Sequence, residues 1–217
     1  MQVLSFYRTA IGKKVVMALS GLFLVGWLTA HLSGNLLVFR GPEAMNGYAK
    51  FLHSQPPLLW SVRILLIGAV LAHVTAAVQL TLQARKSRPV GYAKREPQVS
   101  TLASRTIRWG GALILVFLVY HLLHFTTGTV HPDFNAEDVH ANIATGLASP
   151  LVALFYLLAM AAIGAHFYHG LWSSVRSLGL APPATNPFRR RLAAGFAIIV
   201  WLGFTAIPLA ALIGKLL

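Results

Sequence analysis

The sequence predicts an all-α integral membrane protein with five transmembrane helices, the first four forming an up-down bundle. Three observations carry this. The 217-residue chain is 56% hydrophobic and only 11% charged, with mean hydropathy +0.66, whereas a soluble domain carries about 25% charged residues. Five apolar stretches are each long enough to cross a bilayer core, which takes roughly 20 residues in a helix. The basic residues gather in alternate loops between those stretches.

The first stretch, 15–39, is too long for the apolar region of a signal peptide and has no A-x-A site after it, so it is expected to stay in the membrane. The second is 58–84, interrupted by Arg63; the third is 106–128; the fourth is 147–172; the fifth is 192–214. Backbone polar groups find no partner in lipid, so each run is read as helical. Pro56-Pro57, Pro132 and Pro182-Pro183 fall in loops, Pro150 opens the fourth helix, and Pro208 lies inside the fifth. Without repeats or low-complexity tracts, residues 1–217 read as a single membrane domain.

Of the 18 Lys and Arg residues, 14 lie on one side. They are Arg8, Lys13 and Lys14 before the first helix, Arg85 to Arg108 around the second loop, and Arg176 with Arg189, Arg190 and Arg191 around the fourth. Four of the five acids, Glu43, Asp133, Glu137 and Asp138, lie on the other side. The positive-inside rule then puts the N-terminus in the cytoplasm, as expected for a multi-pass protein of a bacterial inner membrane. The net charge of +13 is thus a matter of topology and not of nucleic-acid binding. The chain has no cysteine, which excludes disulfides, Cys-ligated iron–sulfur clusters and c-type haem attachment in this chain.

Six of the nine histidines lie within the spans: His31, His73, His121, His124, His166 and His169. Ionisable residues are rare in a bilayer and mark function by default. A structural role, as interhelical hydrogen bonds, is the competing reading, and it weakens when four helices each carry one. Zinc usually adds carboxylates or thiols to imidazoles, and no span holds an Asp or Glu. Haem b needs only two neutral imidazoles and an apolar slot in a helical bundle.

Counted from the nearest basic residue at 1.5 Å per residue, His31 and His121 lie at about 25 and 20 Å, His73 and His166 at about 18 and 15 Å. That suggests an outer pair, His31 with His121, and an inner pair, His73 with His166, each across a diagonal of the bundle. His121 and His124 are three residues apart and share a helix face, as do His166 and His169. Depth alone favours His124 as the partner of His31, and His166 over His169 as that of His73. Ser20, Ser173 and Ser177 are candidate polar contacts for an inner propionate, and Arg63, Arg105, Arg108 and Arg176 are candidate counter-charges. The spare histidines, His124 and His169, are candidate propionate or quinone contacts. His53, His131, Asp133, Glu137, Asp138 and His140 are read as solvated loop residues that could carry protons on the outer side.

Over nearly the whole chain these features resemble the di-haem cytochrome b membrane anchor of succinate dehydrogenases and fumarate reductases, in its single-subunit, five-helix form. The likeness rests on SGLFLVGWLTAHLSGNLL in the first helix, GPEAMNGYAKFL after it and LAHVTAAVQL in the second. FLVYHLLHF in the third and PLVALFYLLAM followed by AHFYHGLWSSVRSLG in the fourth complete it. The resemblance implies His31, His73, His121 and His166 as axial ligands of two b haems. It selects His121 in the third helix, against the depth count, and His166, four residues before Gly-Leu-Trp, in the fourth. It further implies a flavoprotein and an iron–sulfur subunit docked on the cytoplasmic side, and menaquinone or ubiquinone as membrane substrate. The chain would serve an oxidoreductase complex while doing no dicarboxylate chemistry itself. The competing readings are the cytochrome b subunit of a formate dehydrogenase or hydrogenase, and a haem-free transporter or assembly protein.

Overall fold

The computed structural model describes residues 2–87, 101–180 and 182–216. Arg88, Lys94, Arg95 and Glu96 of the expected basic loop lie outside them. The described residues form eight α-helices and two short 3-10 turns, with no strand. Five of the helices are long and apolar enough to cross a membrane: α2 (Ala10–Asn35, continued as a 3-10 turn to Arg40), α4 (Pro56–Lys86), α5 (Leu102–Phe125), α7 (Pro150–Ser177) and α8 (Asn186–Leu212). All-α architecture and the count of spans agree with the sequence.

The ends differ from expectation where capping chemistry overrules hydropathy. Helix α2 starts five residues early because the Thr9 hydroxyl accepts from the Gly12 N–H at 2.9 Å. Helix α5 starts at Leu102, where Thr101 and Ser104 form a reciprocal capping box. Helix α7, as the proline indicated, begins with Pro150 at its first position, a place that needs no N–H donor. It runs on to Ser177, and Gly179 follows at φ 75°, a left-handed conformation that ends helices.

Three further helices were not expected. Helix α1 (Gln2–Arg8) precedes α2, while α3 (Pro42–His53) and α6 (Val139–Gly146) fall in segments read as loops. Gly41, at φ 90°, turns the chain sharply, and Pro42 then opens α3. Asp138 caps α6 by accepting from the Ala141 N–H at 3.0 Å. These two helices close the end of the bundle opposite the N-terminus, here called the distal end. They are joined by Asn46, whose amide donates to Asp138 at 2.9 Å and whose oxygen accepts from the His140 N–H at 3.0 Å. These hydrogen bonds hold the Asp138 carboxyl below its ordinary value, the Ala141 N–H first and the Asn46 amide second.

Helix α7 is the central element, packed against α8, α5 and α2, while α2 also packs on α4. Among the described residues α4 and α5 make no comparable contact. The first four spans therefore form a square with one open edge, α2 diagonal to α5 and α4 diagonal to α7. The core follows α7, whose Ala153 and Ala159 are fully buried beside Tyr156, Met160, Ile163 and Phe167. Leu19, Leu65, Leu71, Val116 and Leu158 point outward and exposed, as lipid-facing side chains should.

Candidate functional site

The bundle interior brings four histidines together as two pairs. The His31 and His121 rings, on diagonal helices α2 and α5, have centroids 6.0 Å apart and stand nearly perpendicular at 85°. His73 of α4 and His166 of α7, across the other diagonal, have centroids 6.1 Å apart at 60°. The two pairs lie at different levels. On α2, Gly21 backs onto His73, and His31 follows ten residues later; on α5, Gly111 backs onto His166, and His121 follows ten residues later. Ten residues of helix rise about 15 Å, so both helices report the same separation, with the His73–His166 pair nearer the N-terminal end.

Each pair has its own supports. The His73 Nδ1–H donates to the Met17 carbonyl at 3.0 Å and lies 3.3 Å from the Ser20 hydroxyl. A proton on Nδ1 leaves the Nε2 lone pair free to bind a metal. The approach depends on Gly21, where a Cβ would lie 3.1 Å from His73 Cε1 and 3.3 Å from Nδ1. Ser20 is thus placed as a neighbour of the imidazole, with its own hydroxyl donating to the Val16 carbonyl at 2.7 Å. Trp27 stacks beside His31 at 6.1 Å and Phe204 of α8 lies 6.2 Å from it, giving that ring an aromatic wall.

These residues suit haem iron. Two imidazoles sharing one metal, each bonded at about 2 Å, hold their ring centroids about 6 Å apart, and both pairs meet that spacing. His166 Nδ1 is buried without a hydrogen-bond partner, an unusual state for a polar atom in an apolar interior. Beside His166 a cavity of about 170 Å³, lined by small residues such as Ala103, Gly110 and Ala162, opens between α5 and α7. No three His, Cys, Asp or Glu side chains converge among the described residues, so a zinc-like cluster is not formed there.

His121 and His124 part company here. His121 faces His31; His124 is turned to α7 and the distal end, 1% exposed, with its Nδ1 2.9 Å from the Tyr156 hydroxyl. The same hydroxyl lies 3.4 Å from His121 Nδ1, so Tyr156 links the two histidines. His124 also stacks on His131 at 5.0 Å. His131 is a correction to the sequence reading. It is buried at 6% exposure, its Nε2–H donating to the Asn142 carbonyl at 2.9 Å and its Nδ1 accepting from the Asp133 N–H at 3.2 Å. Both ring nitrogens are engaged by backbone, so it is a structural strut of the distal end and no solvated loop residue. Gly146 makes room for it, since a Cβ there would lie 2.6 Å from His131 Nε2 and 2.9 Å from His124 Nε2.

The remaining candidates are engaged elsewhere on α7. His169 packs edge-on against Trp172 at 5.6 Å with its Nδ1 buried and unpartnered. Arg176 lies over the Trp172 ring at 5.6 Å. Ser177 ends α7. Sequence reasoning passed over Gly21, Tyr156 and Met17; Gly21 directly after Ser20 is a signal of close approach between helices, and Tyr156 is the polar residue of an otherwise apolar turn.

No family model matches the chain, and no solved structure matches it. The chain is 27% identical over 200 residues to the succinate dehydrogenase cytochrome b558 subunit of Bacillus subtilis (strain 168), a match that covers 90% of this chain and 92% of that protein. The similarity covers most of the chain and supports the resemblance drawn from the sequence motifs. Together with the five apolar helices it supports a multi-pass protein of the bacterial inner membrane.

Proposed function

We propose that this chain is the membrane-anchor cytochrome b subunit of a succinate:quinone oxidoreductase, passing electrons between an iron–sulfur subunit and membrane quinone. The observation that carries the reading is the two diagonal imidazole pairs, at 6.0 and 6.1 Å, ten residues apart on both α2 and α5. His73 and His166 would hold one b haem near the N-terminal end, and His31 and His121 a second toward the distal end. Held by these imidazoles, haem would supply one-electron transfer.

The chain's own residues prepare the sites. The Met17 carbonyl fixes the His73 tautomer and its ring direction, the role that hydrogen-bonded partners play at metal-ligating histidines. At the other pair the Tyr156 hydroxyl, 3.4 Å from His121 Nδ1, helps to orient that ring. The apolar bundle keeps water from both levels, and no carboxylate stands in any span to compete for the metal or to hold a charge. The basic side, with 14 of 18 cationic residues, is the cytoplasmic face on which a flavoprotein and an iron–sulfur subunit dock, which puts the N-terminus inside. Quinone, menaquinone or ubiquinone, exchanges with the bilayer. Dicarboxylate chemistry belongs to the partner subunits. Residues 1–217 act as one membrane domain.

A pyridine haemochrome assay with a reduced-minus-oxidised spectrum tests the reading on the purified complex. Two haem b per chain are expected, and His73→Ala or His166→Ala should leave one, with the spectrum of the His31–His121 site intact. Two haems remaining after either change would refute the assignment; none in the well-folded wild type would refute the cytochrome reading itself.

A further inference from the structure

A groove of about 430 Å³ runs between α7 and α8, floored by Ala161, Gly164, Ala165, Ala194 and Ala197 and walled by Trp201. Small residues let the two helix backbones approach closely and leave a trough above them. The groove does not end in open lipid. One turn beyond Tyr168 on α7 comes Trp172, and one turn before Ala194 on α8 comes Arg190. The Arg190 guanidinium lies 4.5 Å from the Trp172 ring centroid and that of Arg176 lies 5.6 Å from it.

Two cations on one indole repel each other, and the donors around them are unspent. Trp172 is 7% exposed, and its Nε1 is buried with no hydrogen-bond partner. Arg190 Nε and Nη2 and Arg189 Nη1 are buried and unpartnered as well. Attraction of a guanidinium to an aromatic face offsets some charge but satisfies no N–H. Four of the five carboxylates, Glu43 in α3 and Asp133, Glu137 and Asp138 before α6, lie at the distal end, and Glu96 lies outside the described residues.

We propose that this cluster binds the phosphate of an anionic phospholipid, with an acyl chain laid along the α7–α8 groove. The phosphate takes the arginine donors and the indole N–H. Phe188 at 63% and Leu192 at 57% exposure flank the cluster on α8 and mark the depth at which lipid begins. An uncharged quinone ring would leave the guanidiniums unpaired. A haem propionate is served by a different face of α7: Ser173 and Ser177 follow His166 at seven and eleven residues, whereas Trp172 follows Ala161, Ala165 and Tyr168. The site does not depend on the haem assignment.

The test is native mass spectrometry of the purified complex, extracted with its lipids and then exchanged against nanodiscs containing phosphatidylglycerol. One tightly held anionic phospholipid per chain is expected. Arg190→Gln should weaken its retention about fivefold or more, as loss of one cation near an anionic headgroup implies, with haem content unchanged. Ala194→Trp, which fills the groove and spares every arginine, should displace the lipid too. Retention equal to wild type in both variants would overturn the proposal. So would loss of haem with the lipid kept, which would assign the cluster to a propionate, and so would displacement of the lipid by millimolar inorganic phosphate, which would assign it to a free anion.

Discussion

A single methyl group distinguishes the two glycines that back the His73–His166 pair. In Gly21→Ala the new Cβ would sit 3.1 Å from His73 Cε1 and 3.3 Å from its Nδ1; in Gly111→Ala it would sit 3.8 Å from His166 Cε1. Carbon atoms pack best at about 3.5–4.0 Å, so the alanine at 111 is accommodated while the His73 ring must retreat by about half an ångström. Its hydrogen bond to the Met17 carbonyl, now 3.0 Å, then stretches to the edge of hydrogen-bond distance, forfeiting about 1 kcal/mol and loosening the imidazole where ligand geometry is least forgiving. Alanine in place of glycine otherwise stabilises a helix by about 1 kcal/mol, and Gly111→Ala should keep that gain. The assay is a potentiometric titration of both haems in the purified complex, with thermal unfolding alongside. Gly21→Ala should shift or deplete one haem and leave the other untouched; Gly111→Ala should shift neither and melt no lower than wild type. Identical titrations for wild type and Gly21→Ala would refute the close-approach argument, and a shift of both haems would refute the placement of His73 in one pair only.

Other consequences are equally direct. Tyr156→Phe strips the hydroxyl from His124, which is 1% exposed, and an unsatisfied buried partner costs about 1–3 kcal/mol; thermal unfolding should show a Tm lower by several degrees, with both haems retained. Gly146→Ala drives a Cβ to 2.6 Å from His131 Nε2 and 2.9 Å from His124 Nε2, so it should expose the distal end to limited proteolysis, whereas an alanine at Gly47, which meets nothing within 4 Å, should not. The Asp138 carboxyl is held below its ordinary value by the Ala141 N–H and the Asn46 amide. A lowered value in the folded state means that its contribution is whole above the unfolded value, about 3.9, and is lost as pH falls from there through the folded one. Protection of the α6 amides from hydrogen exchange, taken relative to the intrinsic rate at each pH, should therefore be flat from pH 8 to about 5 and fall below about 4, and Asp138→Asn should flatten that fall; a fall of equal size in the variant would count against it.

Hydropathy alone made the membrane class, the number of spans and their rough positions legible, because a hydrocarbon core accepts only runs of roughly 20 apolar residues with every backbone group bonded internally. The charge asymmetry and the intramembrane histidines were equally visible in the chain, since each is a departure from what lipid tolerates. Helix ends were less legible: α2 and α5 begin just after Thr9 and Thr101 by capping chemistry to which an apolar count is blind, whereas Pro150 marked the start of α7 in the sequence itself. Helices α3 and α6 were missed because each is short and amphipathic and is held by a partner far away in sequence, Asn46 to Asp138 and His140.

Tertiary structure alone decided which histidine faces which. His121 and His124 are three residues apart, so any periodicity argument puts them on one face. The rotation of α5 against α7 turns His121 to His31 and His124 to Tyr156 and His131. The burial of His131, the approach of Gly21 to His73 and the meeting of Trp172 with Arg190 likewise join segments 11, 52 and 18 residues apart or more. The chain by itself determined that it enters a membrane and carries imidazoles there, because lipid imposes that test residue by residue; packing between helices determined what those imidazoles meet.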